Sequence, residues 1–552
     1  MLRRLLKIFG IVVGILAVVV VALFVYVRAV SVIDPPQPRS LDVLSAEIEE
    51  PDSGLYRIGN NWFRKSESGL YELYVEGEPF ERGVINGKLT RDLVQYQEKV
   101  FNDQIESIVP SDFYRYLLRH LIGYFNRDLD KHVEDEFKLE IYGVSHAASH
   151  DYDHIASPYQ RMLNYHAAHD IGHALQNMSL VGCTAFATWG EYSADGSLII
   201  GRNFDFYVGE AFARDKIVAF YNPAKGNKFM MVTFGGMTGV LSGMNEKGLT
   251  VTINAAKSEI PDKAATPVSL VAREILQYAG NIDEAYAIAA RREMFVAESF
   301  LIGSAADGKA AIIEKTPAET TLVDSYNGVV VCTNHFQSET LGQTNLNQEH
   351  VRTSASLYRM KRVEELIAGS GANTIDKTAR ILRDQRGQGG KDIGLGNEKL
   401  INQLVAHHGI IFQPEKRLVW VATAPYQLGK FVCYDLNKVF SLEMSENHEV
   451  YDSDKLIEAD TFLTTEAFAR YEKFSTYRFP FQPHSNLDPD SIVAWNPRSY
   501  HAHMLAGDYL IEVGEYARAA TILEKGLSLE VATLQEREHM EKQLAYCREK
   551  LK

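Results

Sequence analysis

Val181-Gly-Cys-Thr-Ala-Phe-Ala-Thr-Trp-Gly190 and Ser197-Leu-Ile-Ile-Gly-Arg-Asn-Phe-Asp-Phe206 flank the turn sequence Ser193-Ala-Asp-Gly196. Two apolar-rich runs on either side of an Asp-Gly turn predict a β-hairpin that carries Cys183 toward Arg202 and Asp205. A free Cys in a strand is ordinarily a small buried hydrophobe. Here, however, Gly182 precedes it and a charged pair follows. A guanidinium nearby lowers a thiol's pKa, and a carboxylate holds a protonated partner in place, so the pattern points to a nucleophile.

Gly182-Cys183, the Asp-Gly turn and Gly201-Arg-Asn-Phe-Asp205 together resemble the N-terminal-nucleophile hydrolases. The long segment before Cys183 is similar to the autoproteolytic penicillin acyltransferase-like (isopenicillin-N N-acyltransferase-like) family of cysteine peptidases. That family is related to the choloylglycine (bile-salt) hydrolases, whose Cys lies near the chain start. The resemblance spans residues 70–440 and implies an α+β, four-layer αββα sandwich. It also implies that the Gly182–Cys183 bond is cut autocatalytically and that the new α-amine serves as general base. The chemistry is sound without the family. An α-amine has a pKa of about 7.7–8.0 against about 10.4 for Lys, so near neutrality a useful fraction is unprotonated and able to take a thiol proton.

Three further positions come from the resemblance. Asn245-Glu-Lys-Gly-Leu249 is similar to a string shared by the bile-salt hydrolases and their relatives, and it carries an oxyanion-donor role to Asn254. A neutral amide suits that task. Asn245 is the fallback, with a plain turn residue as its ordinary explanation. Val329-Val-Val-Cys-Thr-Asn-His335 is a buried-strand run ending in the family's Thr-Asn, which assigns Asn334 to the border of the nucleophile and makes His335 a pocket candidate. Ser356-Leu-Tyr-Arg359 resembles the family's Ser-x-x-Arg helix and adds Arg359, although an exposed helical Arg touching a Glu is the ordinary reading.

The whole-chain totals narrow the class. With 552 residues, 46% hydrophobic and 23% charged, this is a globular chain of several domains. A net charge of -15 without Lys/Arg clusters argues against a nucleic-acid partner. The four cysteines, Cys183, Cys332, Cys433 and Cys547, are too scattered for a disulfide framework or a Cys-x-x-Cys metal site. His166, His169 and His173 share a helical face but lack a His-Glu-x-x-His pattern. Packing or a polar network is therefore expected of them. The chemistry requires neither metal nor organic cofactor.

Ile8–Val27 carries no charge and as a helix spans about 30 Å, the thickness of a bilayer's hydrocarbon core. Arg3, Arg4 and Lys7 before it predict a cytoplasmic N-terminus, so the bulk of the chain would lie on the periplasmic or extracellular side as a single-pass membrane protein. A cleaved signal peptide is the rival, with Val27-Arg-Ala29 as a poor site. Asp34-Pro-Pro-Gln-Pro-Arg39 reads as a stiff spacer that lifts the body off the bilayer.

The expected organisation is a membrane anchor over 1–29, a linker over 30–70, and a helical pro-chain over 71–182 that stays associated after cleavage. A catalytic domain over 183–445 follows, then a linker and irregular region over 446–495 and tetratricopeptide-like helices over 496–552. In the pro-chain, Gly83 and Gly87 lie four apart for close helix packing. In the catalytic domain, hairpins are expected around Asn222–Asn227 and Asp307-Gly308, helices over 267–279 and 282–292, and two more strands over 407–422 and 430–436. The C-terminal helices are expected to pack on the catalytic domain or join a protein partner. The implied activity is an autoprocessing N-terminal cysteine amidohydrolase or acyltransferase. It would act on the C–N bond of a small N-acyl substrate with an apolar acyl group, through a thioester. A non-catalytic envelope scaffold and a phospholipase B-like esterase on the same fold are the alternatives.

Overall fold

The hairpin forms as expected, with Thr184–Thr188 running antiparallel to Ile199–Phe204 and Ala185 paired opposite Arg202. The computed structural model describes residues 2–175, 182–206, 209–257, 259, 261, 263–294, 296–441, 448–478 and 487–552. Val181 and the side chains of His169 and His173 lie outside the described residues. The turn is closed by Asp195, whose Oδ1 accepts from the Ser197 N–H at 3.1 Å and from its hydroxyl at 2.6 Å. Gly196, at φ 75°, occupies the left-handed conformation that glycine tolerates best.

Every residue of both hairpin strands is buried, which places them in mid-sheet with cover on both faces. Val329–Cys332 flanks one side. His408–Gln413, Leu418–Ala422, Phe431–Asp435 and Asp452–Ile457 extend the other, giving a seven-stranded sheet. Residues 407–422, read as one strand, are a hairpin in their own right. Pro414-Glu-Lys416 makes a tight turn and Arg417 sits at φ 59°, breaking the ladder.

A second sheet has eleven strands in sequence order from Glu49–Asp52 to Thr320–Asp324. Among the described residues its one parallel joint pairs Tyr71–Gly77 with Ile217–Pro223. The first four strands of this sheet lie within 49–77, so the second half of the stretch read as linker, and the start of the stretch read as helical pro-chain, carry strands. Gly54, Gly59 and Gly69, all at positive φ, sit at its turns.

Alternation along the strands sorts the core. Ala185, Ile200, Ile410 and Val421 of the smaller sheet meet Val218, Phe220, Met230 and Leu301 of the larger. On the smaller sheet's other face, Phe186, Ile411 and Trp420 pack on Val363 and Leu382 of the helices Ser356–Gly369 and Ile375–Leu382. The larger sheet's outer face, with Ala219, Met231, Val251 and Phe300, is covered by helices that include Pro79–Leu89, Asp135–Ser145 and Val268–Tyr278.

Pro79–Leu89 and Asp135–Ser145 approach closely because Gly83 and Gly87 present no side chain to Glu140 and Val144. Glu140 is fully buried there between two guanidiniums. Arg82 Nε lies 3.1 Å and Arg273 Nη2 3.0 Å from its Oε2, joining the pro-segment to the helix Val268–Tyr278. These cations hold the Glu140 carboxyl below the usual range against the opposing effect of burial.

The N-terminal helix Leu2–Val30 contains a span long and apolar enough to cross a membrane, with mean hydropathy 3.3 and no residue of its apolar window buried. It does not lead into a free spacer. The Ser31 carbonyl accepts from Gln160 Nε2 at 2.5 Å, Ile33 enters the core, and Phe24 meets the ring of His120 at 5.0 Å. The burial of Ile33 in that core holds this segment against the helical region.

At the other end, Tyr500–Glu512, Tyr516–Leu527 and Leu534–Lys550 share a core of Leu510, Leu523, Met540 and Leu544. They dock on the strand-bearing body. Tyr500 donates to Glu398 at 2.7 Å, Lys399 pairs with Glu530 at 2.6 Å, and Ala502 and Leu505 pack with Leu404 and Phe468. Asn496 is tied by its amide to both backbone groups of Leu395, so the Trp495–Pro497 junction is anchored.

Candidate active site

Cys183 stands immediately before the first hairpin strand and is 1% exposed. The register that pairs Ala185 with Arg202 brings Arg202 Nη2 to 3.8 Å from Cys183 Sγ. Burial pushes the thiol up to about 11, and Arg202 works in the opposite direction. In the uncut chain the sulfur is therefore a thiol at neutral pH.

Arg202 is itself fully enclosed. Its Nη1 donates to the Leu241 carbonyl at 3.0 Å and to Ser242 Oγ, its Nη2 donates to the Ile253 carbonyl, and the guanidinium lies 4.5 Å over the Phe204 ring. A buried cation with this many fixed acceptors is locked in position.

Asp205 closes the same end of the strand. Burial raises its carboxyl to about 7, while Arg359, Arg202 and Arg478 pull it down. Its backbone carbonyl accepts from the Gly182 N–H at 2.9 Å, and its side-chain Oδ1 makes no hydrogen bond.

The other sequence candidates converge here. Asn254 is buried, donates from Nδ2 to the Cys332 carbonyl at 3.0 Å, and leaves its Oδ1 without a hydrogen bond. Asn334 donates from its backbone N–H to Ser356 Oγ at 2.8 Å and from Nδ2 to the Ala255 carbonyl at 2.9 Å, and accepts from Arg359 Nη2. Arg359 corrects its ordinary reading. It is 3% exposed, with Nε 3.2 Å from Thr184 Oγ1 and Nη1 2.9 Å from the Glu398 carbonyl. The first turn of its helix faces the sheet, so Arg359 braces the residue next to Cys183 as well as Asn334.

Two further candidates, Asn245 and His166, lie outside this cluster, and His335 sits at its edge, sharing Ser356 Oγ with Asn334. Asn245 is a turn residue, its Oδ1 accepting from the Lys247 and Leu249 N–H groups at 3.0 Å. His335 is held by Ser356 Oγ at 2.7 Å and Thr333 Oγ1 at 3.1 Å in a buried hydroxyl network. His166 bonds the Met162 carbonyl at 2.7 Å and Thr238 at 3.0 Å, which spends both ring nitrogens. Among the described residues no three His, Cys, Asp or Glu side chains gather as a metal site.

The sequence reading missed several neighbours. Gln403 Nε2 donates to the Gly182 carbonyl at 2.7 Å and reaches Asp205 Oδ2 at 3.5 Å. Ser242 Oγ links Arg202 to His408 Nε2 at 2.8 Å, and His408 in turn meets His407 at 2.9 Å. Glu298 is fully buried with neither carboxyl oxygen hydrogen-bonded, and burial lifts its pKa well above the ordinary range. A lone Glu opening the apolar strand Glu298-Ser-Phe-Leu-Ile-Gly-Ser304 was a usable signal. Gln403, in an irregular stretch, gave none.

Residues 192–421 match the acyl-coenzyme A:6-aminopenicillanic acid acyl-transferase family. The family segment includes Arg202, Asp205, Asn254, Asn334, Arg359 and Gln403, and it begins downstream of Cys183. An uncharacterized protein of Archaeoglobus fulgidus is 27% identical over 259 residues, which is 44% of this chain and 42% of that one. The chain therefore matches less than half the length of this curated relative. Among solved structures, a Caenorhabditis elegans ortholog of N-acylethanolamine-hydrolyzing acid amidase is 16% identical. It covers 42% of this chain and 93% of its own, with a TM-score of 0.30. A variant of the conjugated bile acid hydrolase from Clostridium perfringens, also 16% identical, covers 49% and 96% with a TM-score of 0.33.

Proposed function

We propose that this chain is a self-processing N-terminal cysteine amidohydrolase or acyltransferase that cleaves the C–N bond of an N-acyl substrate through a thioester. The observation that carries the reading is Cys183 Sγ set 3.8 Å from Arg202, with Asp205, Asn254, Asn334 and Arg359 buried together where the hairpin strand begins. The match of residues 192–421 to an acyl-transferase family supports the same class of chemistry.

Cleavage between Gly182 and Cys183 releases an α-amine on the nucleophile itself. That amine takes the thiol proton, the thiolate attacks the substrate carbonyl, and Asn254 donates to the developing oxyanion. The proton passes to the leaving amine, and water or a second amine then resolves the thioester. Asp205 Oδ1, free of hydrogen bonds, is the acceptor for the new ammonium group, while Arg202 and the Arg359–Asn334 pair fix the strand end.

The acyl group is apolar. A pocket lined by Phe204, Phe206, Phe212, Phe234, Met162 and Met237 adjoins the site through Phe204, which lies under Arg202. In this reading the four-layer αββα arrangement holds the site and residues 71–182 remain bound as a subunit. The N-terminal helix anchors the enzyme with its catalytic body outside the cytoplasm, and the C-terminal helices form a tetratricopeptide-like pair.

N-terminal sequencing of the purified protein tests the proposal. A fragment beginning Cys-Thr-Ala-Phe is expected, and the C183A variant stays a single chain. Assays on N-acyl amides against lipid esters then assign the leaving atom. An active wild type still uncut at Gly182–Cys183 overturns the α-amine mechanism.

A further inference from the structure

We propose that the side-chain amide of Gln403 is the oxyanion donor for the chain's own cleavage at Gly182–Cys183, an assignment that rests on the self-processing reading above. Gly182, on the acyl side of the bond to be cut, is held through both of its backbone polar groups. The Gly182 N–H donates to the Asp205 carbonyl at 2.9 Å, and the Gly182 carbonyl accepts from Gln403 Nε2 at 2.7 Å. The carbonyl whose carbon Cys183 must attack is thus already polarised by a buried, neutral N–H donor.

The same contact accounts for the glycine. A Cβ on Gly182 would lie 2.5 Å from Gln403 Nε2 and 2.6 Å from its Oε1, so any larger residue displaces the amide from the carbonyl. Gln403 is fixed on its other side. Its own carbonyl accepts from Arg478 Nη1 at 2.9 Å, and Asn402 beside it is tied to the Tyr426 carbonyl at 3.0 Å and the Asp384 carbonyl at 3.0 Å. A donor held this way costs little reorganisation when charge develops on the oxygen.

The step balances without an outside oxidant or reductant. Cys183 Sγ bonds to the Gly182 carbonyl carbon, and the carbonyl oxygen becomes an oxyanion facing Gln403 Nε2. The C–N bond then breaks, the nitrogen takes up the proton lost by the thiol, and a thioester joins Gly182 to Cys183. Water, the co-reactant, hydrolyses it to the Gly182 carboxylate and the free thiol. The Gly182 carbonyl is bonded by Gln403 Nε2, whereas Asn254 Nδ2 donates to the Cys332 carbonyl. In this proposal self-cleavage uses Gln403, and Asn254 is kept for substrate turnover.

The test follows conversion of full-length precursor to two chains after cell-free synthesis, with far-UV circular dichroism as the fold control. Gln403→Leu, which keeps volume and loses the donor, is expected to slow conversion by about 10²–10³-fold. Gln403→Glu separates chemistry from packing. A protonated carboxyl donates and an ionised one does not, so its cleavage relative to wild type should fall as pH rises through the carboxyl's titration. A filler role for Gln403 moves neither readout. Wild-type rates in a folded Q403L precursor, or a Q403E to wild-type ratio independent of pH, overturn the assignment while leaving self-cleavage intact. A wild type that stays whole, or a C183A variant that cleaves, removes both.

Discussion

Cys183 and Arg202 face each other at 3.8 Å because the hairpin register places Arg202 opposite Ala185, two residues past the sulfur. Arg202 does more than tune the thiol. It also satisfies the Leu241 and Ile253 carbonyls, which belong to the larger sheet or its approach. Arg202→Met should therefore lose self-cleavage and cost at least about 3 kcal/mol of stability, since buried acceptors lose a charged donor. Urea denaturation and a denaturing gel read both effects, and an R202M variant with wild-type stability contradicts the structural half.

Asp205 predicts a pH dependence. Its folded pKa, raised by burial from 3.8 to about 7, exceeds the unfolded value. The folded state therefore holds the proton more tightly, and stability falls as pH rises from 4 toward 7 before levelling off. The full effect is roughly 4 kcal/mol at 1.36 kcal/mol per unit. Asp205→Asn removes it, so the difference between wild-type and D205N urea midpoints should grow over that window. A constant difference refutes the prediction. Measurements belong on the C183A background, where the bond stays whole.

Glu140 predicts how the cleaved chains hold together. Arg82 and Glu140 lie on the pro-segment, and Arg273 lies beyond Cys183. Glu140→Ala leaves two buried guanidiniums unpaired, at a cost of about 3–5 kcal/mol. Dissociation of the two cleaved chains should then occur at clearly lower urea, as read by size-exclusion chromatography. Because the Glu140 carboxyl is held below its ordinary range, the stabilisation is present above that range and is lost as pH falls through the folded value. An E140A complex that dissociates at the wild-type urea concentration removes the claim.

The sequence showed most clearly what is encoded locally. The Asp-Gly turn announces the hairpin, and the short strings around Asn254 and Asn334 carry their own context. Arg359 was harder, because helix spacing does not say which face a sheet will cover. Here Arg359 and Arg362 are both buried, the latter paired with Asp384 at 2.9 Å. The strands at 49–77 were hidden by composition, since Glu-Glu-Pro-Asp at 49–52 reads as loop and becomes an exposed edge strand only through pairing with 55–58. Gln403 was invisible in principle. Its partner Gly182 is 221 positions away, and no periodicity or motif links the two.

The pocket predicts substrate preference. Its walls include Met162 and Tyr165 from the pro-segment together with Phe212, Phe234 and Met237 from the sheet-bearing body, so its depth depends on both chains staying together. If acyl chains enter there, each methylene buried contributes about 0.8 kcal/mol, and kcat/KM for a series of N-acyl amides should rise about fourfold per carbon until the pocket is full. Met237→Trp shortens the space without touching Cys183, Arg202 or Gln403. It should move the optimum to shorter acyl chains and leave self-cleavage at the wild-type rate. A chain-length profile that M237W leaves unchanged places the acyl group elsewhere.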